Sequence, residues 1–363
     1  MKDVLILGGG VIGLSVAVEL ACRGLSVQVL DARRPGAAST AAAGMLAPDA
    51  EGLSSGPLGA LGRTSRALWS QWQTHLESLT GSGVGYWPSG ILCPTVEVPS
   101  LKEQWWDRAR VEPWVPGLGE AFVGAFWHPE DGQVDPRRLV KVLEAACIRL
   151  KVTITAAVVD RLEVGAKAVQ AVHTDQGSFD AGEYVLCSGS WSAQLLALPV
   201  FPVKGQMLAL QMPEPGLKCV VFGPGAYLVP RRDGRLVVGA TQEQVGFLPG
   251  TTDAGLAQLL VGVKALLPEA ATWPILETWY GYRPATPDAM PILGAGPHRN
   301  LWLATGHHRN GILLSPVTAT LLADAITGRP VPQLEPFSYT RFCDAHAPLV
   351  AYCSLAHPSS VGS

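Results

Sequence analysis

The chain has 363 residues, 48% of them hydrophobic and only 16% charged, with 27 Lys and Arg against 30 Asp and Glu. That length suits two domains or one large interrupted one with a sizeable core. A net charge of −3 without any Lys/Arg cluster argues against nucleic acid as a partner.

Val4-Leu5-Ile6-Leu7 is followed by Gly8-Gly9-Gly10-Val11-Ile12-Gly13 and then by a helical pattern from Leu14 to Ala21. Gly8, Gly10 and Gly13 match G-x-G-x-x-G. In that spacing the first glycine allows a tight turn, the second a close approach of backbone to a pyrophosphate, and the third close helix–strand packing. The helix start offers free N–H groups and a positive dipole end to the anion. Ser26 to Leu30 reads as a second strand ending at Asp31, eighteen residues after Gly13, where a carboxylate accepts ribose hydroxyls. This opening predicts a dinucleotide site. Asp3, the glycines and Glu19 argue against a signal peptide over Met1 to Ala21.

Residues 35–60 show little periodicity and read as loop or close-packed backbone. Ala67 to Leu79 has helical spacing through Leu68, Trp72, Leu76 and Leu79. From about residue 84 to residue 130 the pattern is short, aromatic and strand-like. A helix is expected over Pro136 to Leu150. Strands follow at Val152 to Thr155, Val169 to His173 and Tyr184 to Cys187, the last running into Ser188-Gly189-Ser190-Trp191. Alternating strands dominate 206–245, Ala254 to Leu267 is an amphipathic helix, and Pro291 to Gly294 pairs with Leu301 to Ala304. A final helix runs from about Gly311 to Ile326. No stretch reaches the roughly 18 apolar residues of a membrane span. Seven scattered cysteines, odd in number and lacking C-x-x-C, fit reduced thiols in a cytoplasmic setting. Cysteine and histidine spacing offers no metal site.

Three stretches could carry chemistry. The segment Gly306 to Pro316 places a polar cluster at the start of the last helix, aiming N–H groups at an anion or serving as an ordinary capping loop. In Tyr280-Gly281-Tyr282-Arg283-Pro284, Arg283 needs an anionic partner, because burying its charge unpaired is costly. A substrate carboxylate fits its fork, and an ion pair with Asp288 or Glu277 is the alternative. Tyr227 belongs either to the core or to the same carboxylate site. With no nucleophile elbow and no paired catalytic carboxylates, redox chemistry carried by a cofactor is the reading that fits.

The chain resembles the D-amino-acid oxidase family of FAD flavoproteins, in particular its glycine oxidase branch linked to thiamine biosynthesis. The resemblance extends to about Phe342. Its carriers are Ser39 to Leu46, Pro202-Val203-Lys204-Gly205, Tyr227 to Arg231 with Gly234 to Thr241, Gly281 to Pro284, and Gly306 to Pro316. The resemblance implies an α/β fold class with a Rossmann-like FAD-binding domain built from discontinuous segments and a β-rich (α+β) substrate domain. The expected bounds are 1–80, 131–198 and 285–345 for the first, 81–130 and 199–284 for the second, and 346–363 for a tail. It implies that Gly8, Gly10, Val11, Ile12, Gly13, Asp31 and Ala32 hold the ADP half of FAD. Ala38, Ser39, Ala43, Gly44 and Met45 are to line pyrophosphate and flavin, with Val158 meeting adenine by its backbone. His307, His308, Arg309, Asn310, Gly311, Ile312 and Leu313 are to wrap the flavin ring. Arg283 is the expected carboxylate-binding arginine, with Tyr227 beside it and Arg309 as a second arginine.

Gln242 and Gly225 depart from methionine and histidine positions of that branch and alter the expected pocket wall. With no cysteine near Arg283 or Gly306, FAD is expected to be non-covalent. The implied activity is oxidative deamination of glycine, and of sarcosine or small D-amino acids, by hydride transfer to flavin. The products are glyoxylate or a 2-oxo acid, ammonia or amine, and hydrogen peroxide from dioxygen. The resemblance also suggests a homotetramer. Two other classes stay open: a D-amino-acid dehydrogenase passing electrons to a quinone, and a non-catalytic dinucleotide-binding protein.

Overall fold

The apolar run near the start forms the strand Lys2–Leu7, whose Val4 to Leu7 are fully buried in the computed structural model, which describes residues 1–53, 56–100, 103–214 and 216–343. A strand apolar on both faces belongs inside a parallel sheet covered on both sides, and that is its position. It pairs in parallel with Val27–Asp31 and with Ala181–Leu186. The complete sheet has six strands, in the order Ile292–Ala295, Leu301–Thr305, Ala181–Leu186, Lys2–Leu7, Val27–Asp31, Thr153–Ala156. All neighbours are parallel except the edge strand Ile292–Ala295.

Helices Val11–Cys22, Pro136–Arg149, Gly56–Thr80 and Gly311–Ile326 bury their apolar residues in one core with this sheet. Two are legible almost to the residue. Asp135 accepts from the N–H groups of Arg137 and Arg138 at 3.0 and 3.2 Å and starts the helix at Pro136, as Asp before Pro at the first helical position should. The last helix runs Gly311–Ile326 as expected.

The helix over Gly56–Thr80 corrects the sequence reading, which began it at Ala67. Its first turns hold glycine and proline, poor helix formers on propensity. They are helical because Leu61 and Gly62 pack on the final helix, where a Cβ on Gly62 would lie 3.5 Å from Leu313. Tertiary burial overrides propensity here. The loop reading of 35–60 is corrected further by a short helix Ala38–Ala41 and the strand Met45–Leu46, paired antiparallel with Gly132–Gln133.

A second sheet of eight strands has the order Ile275–Ala285, Phe201–Gln211, Arg235–Gly239, Ala226–Pro230, Val220–Gly223, Ile91–Thr95, Gly124–His128, Trp105–Asp107. One face packs on the helix Asp253–Leu266 in its own core. The other carries Met207, Val229 and Val237, which meet Ala43 and Ala47 from the segment after the short helix Ala38–Ala41. The short strands 159–164, 169–174 and 177–179 form a small antiparallel sheet. The expected tail over 346–363 lies outside the described residues.

Candidate functional site

A cavity of about 530 Å³ runs between the six-stranded sheet and the free face of the eight-stranded one, within the size range of small-molecule and cofactor sites. Its first end is the glycine-rich turn. Gly8 has φ +119°, and a Cβ there would run into the carbonyl oxygen of Cys187. A Cβ on Gly13 would strike the carbonyl of Gly8, so the helix can approach the strand only because that position has no side chain. No side chain caps this helix at Gly10, and the Ser39 hydroxyl accepts from the Val11 N–H at 2.9 Å. Asp31 and Ala32 line the same end.

Along the middle, Ala38, Ser39 and Ala41 to Met45 expose backbone and small side chains to the cavity. This loop is held from below by Arg231, a buried cation that donates to Gln133 Oε1 at 2.7 Å, to the Val134 carbonyl at 3.0 Å and to the Ala43 carbonyl. Burial pushes the Arg231 guanidinium down to about 10, so it keeps its charge at neutral pH. The Gly36 carbonyl accepts from the Tyr282 N–H at 2.9 Å, tying the loop to the strand Ile275–Ala285.

The far end gathers Tyr227, Arg283, His307, His308, Arg309, Gly311 and Ile312. The helix from Gly311 has no side-chain cap at Asn310 and no acidic residue in its first turn, and its first two residues, Gly311 and Ile312, line the cavity. Burial pushes His307 down to about 3, and its Nε2 lies 3.2 Å from Thr318 Oγ1. His308 falls to about 4 through burial and then the positive charges of Arg283 and Arg309. Both imidazoles are therefore neutral at neutral pH. What favours an anion here is the helix end and Arg283, since Arg309 is paired with Glu51 at 2.9 Å.

Arg283 settles the choice left open by its sequence. Asp288 is bound by Arg341 at 2.7 Å and Glu277 by Arg137 at 2.7 Å. Among the described residues no carboxylate lies within 4.0 Å of Arg283. Its Nη1 donates to the Thr241 carbonyl at 3.1 Å, and the guanidinium lies against Gly205, where a Cβ would sit 2.5 Å from Nη1. Burial raises the Tyr227 hydroxyl, and the neighbouring Arg283 opposes that rise. A guanidinium that has no carboxylate partner, and that is bonded to a neutral carbonyl and a phenol, is a receptor for one carboxylate.

Of the residues named from sequence, Gly13, Val158, Asn310 and Leu313 stand outside the cavity wall. Gly13 acts through packing. The Val158 N–H donates to Asp175 Oδ1 at 2.8 Å and its carbonyl accepts from the Asp175 N–H at 3.2 Å, while its neighbours Ala157 and Val159 line the cavity. The Leu313 carbonyl accepts from Ser65 and Trp69. Gln242 and Gly225 both line the wall. Sequence reasoning missed Glu51, Met207 and Phe222, which also line it. Glu51 lay in a stretch without periodicity, and the other two read as ordinary strand residues.

These features fit FAD. The turn at Gly8 accepts close backbone approach, small residues continue to the far end, and two helix N-termini face the same cavity. A family model described as FAD dependent oxidoreductase matches residues 3–325, and the chain belongs to that family. It is similar to the bifunctional protein ThiO/ThiG of Synechocystis sp., 49% identical over 99% of this chain and 58% of that protein. The chain thus spans little more than half the length of such relatives. It is 35% identical to the glycine oxidase of Geobacillus kaustophilus, over 93% of this chain and 97% of the relative. The crystal structure of glycine oxidase from Geobacillus kaustophilus superposes with a TM-score of 0.87, covering 94% of this chain and 98% of that one. No helix among the described residues is long and apolar enough to cross a membrane.

Proposed function

We propose that this chain oxidises glycine, and with it sarcosine or small D-amino acids, using non-covalent FAD and dioxygen. The products are glyoxylate or the 2-oxo acid, ammonia or amine, and hydrogen peroxide. The observation that carries this reading is Arg283, without a carboxylate within 4.0 Å among the described residues, in a cavity shared with a dinucleotide cradle. Full-length glycine oxidase relatives support it. FAD, when bound, supplies the hydride acceptor and passes the electrons to dioxygen.

The rest is the work of the chain's own residues. Arg283 grips the substrate carboxylate and Tyr227 adds a hydroxyl. This pins two points of a small amino acid and leaves the Cα–H directed by geometry, the main source of rate in such a site. Met207 and Phe222 add apolar surface to the cavity wall, with the Phe222 ring stacked beside Tyr227. The uncapped start of the helix Gly311–Ile326 favours negative charge at the far end. In this reading Gly8 to Gly13, Asp31 and Ala32 hold the ADP half, and Ala38, Ser39 and Ala43 to Met45 the middle. Segments 1–80, 131–198 and 285–345 carry the cofactor, and 81–130 with 199–284 the substrate. A homotetramer in the cytoplasm serving thiamine biosynthesis completes the proposal.

The test is a peroxide assay on purified protein with glycine, sarcosine, D-alanine and D-proline. Peroxide from glycine without any added acceptor is the expected result. Turnover seen only with a quinone, or with none of the four, overturns the reading.

A further inference from the structure

Glu51 has no place in the function just described, yet it stands at the substrate end of the cavity. Its side chain is 9% exposed, and Oε2 lies 2.9 Å from Arg309 Nε. Burial raises its proton affinity, with Asp131 adding to the rise, and Arg309 and Arg283 oppose it, so the charge of this carboxylate depends on the two guanidinium groups it faces. The loop that presents it is pinned. Asp131, fully buried, accepts from the Ala50 N–H at 2.8 Å and binds Arg66, which also grips Asp49 on the same loop and Glu130 at 2.6 Å. A buried carboxylate is costly to keep unless it is paired; Oε2 of Glu51 accepts no hydrogen bond among the described residues, and Arg309 is its ion-pair partner.

The charge count then decides what the cavity accepts. Arg309 is matched by Glu51 and Arg283 by no acidic residue among those described. The substrate end thus has one open anion receptor. We propose that Glu51 is a specificity-determining residue that occupies Arg309, so that the site accepts one carboxylate and rejects a second anionic group. A dicarboxylate held at Arg283 would bring its other end towards Glu51, and like charges at short range in a buried site repel strongly. With Glu51 neutral, Arg309 becomes a second receptor and the same ligand is gripped at both ends.

This inference rests on the amino-acid oxidase reading, and the experiment separates the two. FAD-loaded wild type is first assayed for peroxide from glycine, which tests that reading alone. Acetate and malonate, neither of them substrates, are then titrated by calorimetry and by the change in flavin absorbance. In wild type, malonate should bind at least tenfold more weakly than acetate. In Glu51→Gln that ratio should shift tenfold or more towards malonate, and the double variant Glu51→Gln with Arg309→Met should lose the gain. Equal binding of the two anions by wild type overturns the inference, even if no variant folds. So does a ratio within twofold of wild type in a Glu51→Gln protein that holds FAD.

Discussion

Arg283 owes its role to what surrounds it. The acidic residues near it in sequence are taken by Arg341 and Arg137, which leaves its charge to a ligand. Replacing Arg283 by Ala should raise KM for glycine at least about 30-fold, from a loss of ~2 kcal/mol at a buried charge pair. The flavin spectrum should persist; steady-state kinetics with unchanged KM would remove the carboxylate assignment. His307 makes a different prediction. Its imidazole titrates at about 3 when folded against 6.5 as the ordinary value, so between these values the unfolded chain binds the extra proton. Stability is complete above the ordinary value and is lost as pH falls. Urea midpoints measured from pH 7 to pH 5 should decline. In His307→Gln the slope should be shallower by up to about 1.4 kcal/mol per pH unit.

At the scale of elements, strand pairing places the site. Phe201–Gln211 runs antiparallel to Ile275–Ala285, with Val203 opposite Arg283 and Gly205 opposite Gly281. Gly205 leaves the space in which the guanidinium lies. Gly205→Ala inserts a methyl 2.5 Å from Nη1, a clash of about 1–3 kcal/mol that should displace Arg283. We expect a raised KM with circular dichroism unchanged; wild-type kinetics would show that the side chain has room to move. Such an effect is invisible in the sequence, where Pro202-Val203-Lys204-Gly205 is only a recognisable string. The helix starting at Pro136 was legible because its start signal is local; the one at Gly311, which has no side-chain cap, was legible from the polar, glycine-bracketed segment before it. The early turns of Gly56–Thr80 were not, because their helicity comes from packing on a helix some 250 residues later in the chain.

For the whole molecule, the cavity exists because two sheets and the loop over residues 36–51 close on one another. Arg66 is a main tie, joining the helix Gly56–Thr80 to Asp49, Glu130 and the buried Asp131. Arg66→Met strands a buried carboxylate and should lower unfolding free energy by about 3 kcal/mol, read from urea denaturation, and should weaken FAD retention on gel filtration. A midpoint equal to wild type would show that the loop is held elsewhere.

The linear chain was sufficient for whatever depends on neighbours. The glycine spacing at Gly8 to Gly13, the alternation of strands and helices, the caps, and the isolated arginine between aromatics all act over a few residues. Folding alone decided which charges remain unpaired. Arg283 stays free and Arg309 does not, because Asp288, Glu277 and Glu51 meet their partners across distances in sequence that no local pattern encodes. Coulomb energy depends on separation in space and on burial, and both are set only when the sheets close.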